Sequence, residues 1–428
     1  MRYIHPAKNR GSKIVVIIGG GFAGLNAAKR LKNEKGVFVI LIDQRNHHLF
    51  QPLLYQVATA GLTPADIAVP IRAQFTDADN IEVHLGHVSH VSLKDNFVRV
   101  DDNEIEFDQL IIACGAHHSY FAHPEWEDLA PGLKTLEQAT EIRRRILLSF
   151  ENAENEIDST KQKTKLTFVV VGGGPTGVEL AGAIADISRT VLVGDFKRVN
   201  PAEARVILVE AGARLLAAFD EKLSERARRD LKILGVDVMT GGRVEKITHE
   251  GVQIGQQFIP ADCVFWAAGV QAAKINFSEN VQLDRAGRVK VNSDLSIPDF
   301  KNVFVVGDMA SIEISTNKFV PGLAPAAIQA GHHAAEVILA DRDNKVRPRF
   351  KYFDKGQMAT IGKFRAVMQA GPIKMGGYLA WLAWLFIHIF YLVGFKNRIS
   401  VLSDWVWSYT FSKRGSRLIT DPQWRLKK

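Results

Sequence analysis

The sequence predicts an α/β protein in which one parallel-sheet domain is inserted into another, with an amphipathic segment at its C-terminal end. Three observations predict it. A buried apolar strand, a glycine-rich turn and a helix follow one another twice, at Lys13–Gly24 (KIVVIIGGGFAG) and Thr167–Glu179 (TFVVVGGGPTGVE). Another apolar strand ending in Gly-Asp comes late, at Asn302–Asp308 (NVFVVGD). Beyond residue 341 the chain becomes basic and rich in tryptophan.

The glycine spacing is the most specific of the three. Phe168–Val171 is a β-branched, apolar run of the kind that forms a fully buried parallel strand. It leads into Gly172, Gly174 and Gly177, after which Val178, Leu180, Ala181 and Ile184 continue at helical spacing. The first glycine permits a tight turn, and the second lets the backbone approach a pyrophosphate. The third brings the helix close to the strand, so that its N-terminal amides face the anion. Gly19, Gly21 and Gly24 hold the same three places in the first unit. Two such units define two Rossmann-like dinucleotide-binding domains.

An acid closing the second strand of such a unit accepts hydrogen bonds from ribose hydroxyls and disfavours a 2′-phosphate. Val37–Ile42 ends in Asp43, 24 residues after Gly19. Arg205–Val209 ends in Glu210, 38 residues after Gly172. The second interval exceeds the usual ~20, and an inserted stretch around Ser188–Ala204 accounts for the excess. Glu210 therefore favours NADH over NADPH. Strands are expected around Ile81–Leu85 and Val98–Val100, and Leu136–Phe150 reads as a linking helix with a solvated basic face. Phe107–Gly115 and Phe258–Gly269 read as the segments that close the two domains. Glu179 lies two residues past Gly177, in what reads as the first turn of its helix.

Length and composition fit this plan. A chain of 428 residues, 46% apolar and 23% charged, has room for two or three domains with large cores. Its two cysteines, Cys114 and Cys263, sit in apolar strand-like runs and form no CxxC. That argues against a disulfide framework and against electron transfer through a cysteine pair. His47 and His48 have no carboxylate or cysteine cluster beside them, so they read as histidines bracing a turn, with no metal site. The N-terminus, MRYIHPAKNRGSK, is basic but lacks the apolar core of a secretory signal. The body of the protein is therefore expected in the cytosol.

The net charge of +8 is unevenly spread. Arg342–Lys428 holds 17 Lys and Arg against 4 Asp and no Glu, leaving the rest of the chain slightly acidic. A basic tail seeks a polyanion, either nucleic acid or an anionic membrane face. Five of the seven tryptophans lie in the same tail, which favours the membrane over nucleic acid. Within it, Tyr378–Val393 is about 16 residues of nearly unbroken apolar sequence, short of the ~20 that a bilayer requires. A span would also export the basic C-terminus against the positive-inside rule. At 100° steps Trp381, Trp384, His388 and Tyr391 share one face, which suits a helix lying among lipid headgroups. Ile399–Phe411 reads as a second such segment, with Lys413, Arg414 and Arg417 available to anionic lipid. A buried C-terminal helix or a homodimer interface is the alternative.

The combined pattern resembles the two-dinucleotide-binding-domain flavoprotein reductases and, among them, the type II NADH:quinone oxidoreductases. The resemblance rests on NHHLFQPLLYQVATA (Asn46–Ala60), GGGPTGVELAG (Gly172–Gly182), GDMA (Gly307–Ala310), PGLAPAAIQAG (Pro321–Gly331) and KGQMATIGK (Lys355–Lys363), together with the tryptophan-rich tail. It implies FAD in the first unit, held by Gly19, Gly21, Gly24 and Asp43, with Gly307, Asp308 and Ala326 from a returning segment. NADH would occupy Gly172, Gly174, Gly177 and Glu210. Glu179 would sit where nicotinamide meets flavin and take part in proton delivery. Gln329 matches a glutamine of the quinone-site motif, although Pro325 stands where the family often has an earlier glutamine. Residues 1–125 and 275–343 would form the FAD domain, 126–274 the NADH domain and 344–428 the membrane-association region. The implied activity is NADH oxidation through FAD with reduction of a membrane quinone, without proton pumping, at the cytoplasmic face of the inner membrane. The rival readings are an NADH-dependent reductase of a soluble electron carrier, a sulfide:quinone oxidoreductase, and a redox-signalling flavoprotein.

Overall fold

The computed structural model describes residues 2–3, 5–411 and 413–420. Both strand–glycine–helix units form as their sequences require. The first is β1 (Lys13–Ile18), α1 (Phe22–Leu31) and β2 (Val37–Asp43), followed by a short helix α2 (Leu54–Ala58). The second is β3 (Thr167–Val171), α3 (Pro175–Asp186) and β4 (Arg205–Glu210). A long helix α4 (Ala324–Arg342) precedes the C-terminal strand β5 (Gln357–Gly362), which is followed by helices α5 (Tyr378–Tyr391) and α6 (Phe395–Phe411).

The chain divides into two compact units. Unit 1 comprises Met1–His48, Val69–His117 and Val270–Asp354. Its central sheet runs Ser296–Ile297, Phe300–Val305, Gln109–Ile112, β1, β2 and Ile81–Leu85, all parallel except the first. The five inner residues of β1 are buried, as expected for a strand covered on both faces. Helix α4 lies directly on α1, because a Cβ on Gly331 would come within 2.0 Å of the Ala23 carbonyl oxygen. Pro325 falls in the first turn of α4, where its missing N–H has no helical partner to lose.

Unit 2 comprises Leu49–Ala68, His118–Gly269 and Lys355–Lys428. Its four-stranded parallel sheet runs Val236–Thr240, β4, β3 and Cys263–Trp266. A separate antiparallel sheet, β5 with Arg365–Ala370 and Ile373–Gly376, opens the C-terminal region. The extra residues between α3 and β4 form a π-helical turn, Ile187–Val191, and an irregular loop, which explains the long interval to Glu210.

The face of α5 that packs inward differs from the sequence expectation. Trp381, Trp384 and His388 are buried, with Trp384 only 1% exposed. Trp384 stacks on His388 and meets Trp405 of α6, so these large rings form an internal core. Two purely apolar stripes are exposed instead: Leu379, Leu382, Phe386 and Phe390 on α5, and Phe395, Ile399, Leu402 and Val406 on α6. Both follow helical spacing. Helical projection locates two apolar faces but does not say which one has a core to fill. Among the described residues no helix is long and apolar enough to cross a membrane. The final part of the expected membrane region, residues 421–428 with Trp424, lies outside the described residues.

Candidate active site

The two glycine loops are near copies. Gly19 and Gly172 adopt φ of +103° and +115°, a region that side-chain-bearing residues avoid. A Cβ on Gly24 would lie 1.8 Å from the Gly19 carbonyl oxygen, and one on Gly177 would lie 1.8 Å from that of Gly172. The third glycine thus presses each helix onto its own turn. At the second glycine the opposite holds: a Cβ on Gly21 or Gly174 meets no heavy atom within 4 Å. These two residues also cap α1 and α3 and contribute no side-chain hydrogen bond to the helix N-terminus. Open space at the start of each helix fits a pyrophosphate in each loop.

Asp43 and Glu210 occupy equivalent positions. Asp43 accepts the Gly20 N–H at 2.6 Å and the Arg45 N–H at 2.7 Å. Glu210 accepts the Gly173 and Gly212 N–H groups, both at 2.6 Å. Each carboxylate is thereby fixed over the loop at the end of its strand, where an adenosine ribose would lie. The middle-glycine carbonyls are held as well. His48 Nδ1–H donates to Gly20 O at 2.9 Å, and the Leu216 N–H donates to Gly173 O at 2.8 Å. Burial pushes His48 down to about 4, so it remains a neutral brace for the turn.

In unit 1 the returning strand Phe300–Val305 delivers Gly307 and Asp308 in a short 3-10 turn. Gly307 has φ +70°, and a Cβ there would lie 3.3 Å from Ala23 Cβ, so the turn borders the start of α1. Ala326 is buried in the first turn of α4. Gln329, one turn further, has its amide engaged. Its Oε1 accepts the Phe353 N–H at 3.0 Å, while Nε2 donates to Phe353 O at 3.0 Å and Pro325 O at 3.1 Å. Gln329 therefore clips the segment around Phe353 to α4.

Glu179 lies in the second turn of α3, not the first, because the helix begins at Pro175. At that distance the helix dipole acts on it only weakly. Its carboxyl is pushed up to about 8 by burial, against which the Thr360 N–H, at 3.3 Å, favours the anion. It is therefore mostly protonated at neutral pH, as a proton donor must be. The thiols of Cys114 and Cys263 are both free and pushed up to about 12 by burial, so neither is a reactive thiolate.

Sequence reasoning missed several participants. Thr360, Tyr55, Gln56 and Trp405 form polar contacts around Glu179 or within the buried part of unit 2. Tyr55 and Gln56 fell inside a quoted motif, but no residue type or spacing in it announced a hydrogen-bonded pair.

Two glycine-loop nucleotide domains, one interrupting the other, define a dinucleotide-dependent oxidoreductase of the two-domain flavoprotein class. Residues 13–331 match the family described as pyridine nucleotide-disulphide oxidoreductase, and residues 355–414 match the NDH2 C-terminal domain. The chain is 43% identical over 425 residues to the type II NADH:quinone oxidoreductase Ndh of Mycobacterium tuberculosis, covering 96% of this chain and 90% of that one. Its fold is similar to NDH2 from Plasmodium falciparum in complex with NADH, with a TM-score of 0.86 at 20% identity over 96% of this chain and 100% of that one. The sulfide:quinone oxidoreductase of Aquifex aeolicus shares the fold more distantly, with a TM-score of 0.72 at 21% identity over 93% and 95% of the two chains. The chain belongs to the type II NADH:quinone oxidoreductases within the pyridine nucleotide-disulphide oxidoreductase family.

Two outcomes follow from this geometry. Glu210→Ala should reduce the preference for NADH over NADPH by about tenfold or more, measured as the ratio of kcat/KM values; an unchanged ratio would contradict the ribose assignment. Glu179 binds its proton more tightly folded than unfolded, so its contribution to stability is full below pH 4.5 and is lost as the pH rises through about 8. Glu179→Gln should therefore melt like the wild type in acid and at a higher temperature above pH 8. Parallel melting curves across that window would show that the carboxyl titrates normally.

Proposed function

We propose that this protein oxidises NADH through FAD and reduces a membrane quinone to quinol without pumping protons. The observation that carries the reading is the pairing of two complete nucleotide loops with the C-terminal module of the NDH2 proteins in one chain. When bound, FAD supplies the ring system that takes a hydride from NADH and yields two electrons to the quinone.

The protein binds, orients and supplies protons. In unit 1 the open face at Gly21 and the first amides of α1 hold the FAD pyrophosphate, with Asp43 on the ribose. Gly307, Asp308 and the start of α4 at Ala326 line the returning side of the FAD site. In unit 2 Gly174 and the amides of α3 hold the NADH pyrophosphate, and Glu210 holds the adenosine ribose. Glu179, carrying a proton at neutral pH, supplies it toward quinone reduction. Gln329 acts in the quinone half-reaction by keeping the Phe353 segment in place.

The apolar stripes of α5 and α6 attach the protein to the cytoplasmic face of the inner membrane. Phe386, Phe390 and Phe395 are 73%, 61% and 77% exposed, an arrangement suited to burial in the interfacial region. Lys396, next to Phe395 in the chain, and Lys413 are exposed and available to anionic lipid. Arg414 and Arg417, also expected to meet lipid, are paired with Asp186 and Asp195 and serve to anchor the tail.

The reading is tested by anaerobic stopped-flow absorbance of the FAD-loaded protein mixed first with NADH and then with a short-chain quinone. Bleaching by NADH and rapid recovery with quinone are expected. Bleaching without recovery would favour the reductase of a soluble carrier.

A further inference from the structure

The C-terminal sheet lies against α3 with its backbone. Gly182 follows Glu179 by three residues and so shares its face of the helix. A Cβ on Gly182 would fall 1.9 Å from the Ile361 carbonyl oxygen and 3.0 Å from its carbonyl carbon. No side chain fits there without moving β5. This approach brings the Thr360 N–H to Glu179 Oε1. The Thr360 hydroxyl is turned elsewhere, donating to Arg365 O at 3.2 Å, so the backbone amide is the group that serves Glu179.

A second chain of bonds runs from the tail helix α6 to α2. The indole of Trp405 can only donate, and its Nε1–H reaches Gln56 Oε1 at 2.7 Å. This fixes the orientation of the Gln56 amide, whose Nε2–H then donates to the Tyr55 hydroxyl at 2.9 Å. Tyr55 is an acceptor in that bond, so its own proton must point away from Gln56. The residue is buried, and the Glu179 charge raises the cost of ionising it.

Other charges near α3 are already engaged. β3 and β5 carry no ionisable side chains, and Glu210 at the end of β4 bonds the glycine loop. Asp230, on the neighbouring helix Glu221–Ile233, pairs with Arg365 and Arg226. Asp237 on Val236–Thr240 pairs with Arg205, and Asp186 pairs with Arg414. In the π-helical turn, Arg189 donates to the carbonyls of Ala204 and Gly235. Tyr409 and Arg414 act on Tyr55.

We propose that the C-terminal module positions Glu179: Gly182 seats β5 so that the Thr360 amide holds the carboxylate. The proposal rests on the reading of Glu179 as the proton-holding group. It makes the region that meets the membrane also the region that sets proton affinity at this carboxyl, with Gly182 and Thr360 as positioning residues.

The test is an infrared pH titration of the FAD-loaded full chain, following the carboxylic-acid C=O band that Glu179→Gln removes. In Gly182→Ala the midpoint of that band should rise by about half a unit to one unit, because a donor to the anion has been withdrawn. An unchanged or lowered midpoint overturns the proposal. If Gly182→Ala does not retain FAD, Thr360→Pro decides by the same criterion, since it removes the amide hydrogen on a strand at the edge of its sheet. The wild-type midpoint is a separate result. A midpoint at the ordinary 4.5 would overturn the proton-holding reading, while the shift between wild type and variant would still decide the positioning.

Discussion

Backbone packed directly on backbone is the constraint on which this structure depends, and glycine is what permits it. Each nucleotide loop closes because Gly24 or Gly177 leaves its helix touching the turn that precedes it, and each touches at the same distance. Gly331 lets α4 lie on α1 in unit 1, and Gly182 lets β5 lie on α3 in unit 2. In all four places a methyl group would occupy the position of a main-chain carbonyl. Such contacts leave little slack, which suits a protein whose chemistry is supplied by cofactors and whose own task is to hold them in register.

The same economy governs the polar groups of the loops. The middle glycine of each loop donates its N–H to a carboxylate and accepts at its C=O from a separate donor, in both units. In unit 2 that donor is the backbone of Leu216, whereas in unit 1 it is the side chain of His48. A neutral, buried imidazole can take that role because desolvation keeps it uncharged. Each loop is therefore braced by the protein itself at its middle glycine.

Much of this was legible in the sequence because the relevant signals are local. Glycine spacing, a strand-terminal acid and a β-branched run each specify a turn, a carboxylate placed at the glycine loop or a buried strand within a few residues. The inward face of α5 was not legible, since both faces of that helix are apolar and only the neighbouring Trp405 and Tyr55 decide which one is covered. The first-turn placement of Glu179 failed for a similar reason: Pro175 starts the helix earlier than the third glycine indicates. Thr360 lies 181 residues from Glu179, and a backbone amide leaves no mark on composition or spacing. Arg414 and Arg417 looked like lipid-facing cations until their carboxylate partners on other elements were seen.

The central claim is that the two loops hold different cofactors, FAD in unit 1 and NADH in unit 2. Gly174→Val addresses it most directly, because a Cβ there meets no heavy atom within 4 Å and the side chain would project into the space assigned to the pyrophosphate. The purified variant should retain the flavin absorbance of the wild type and lose its bleaching by NADH. A variant that purifies without flavin, or that is bleached by NADH as fast as the wild type, would contradict the assignment of the two loops.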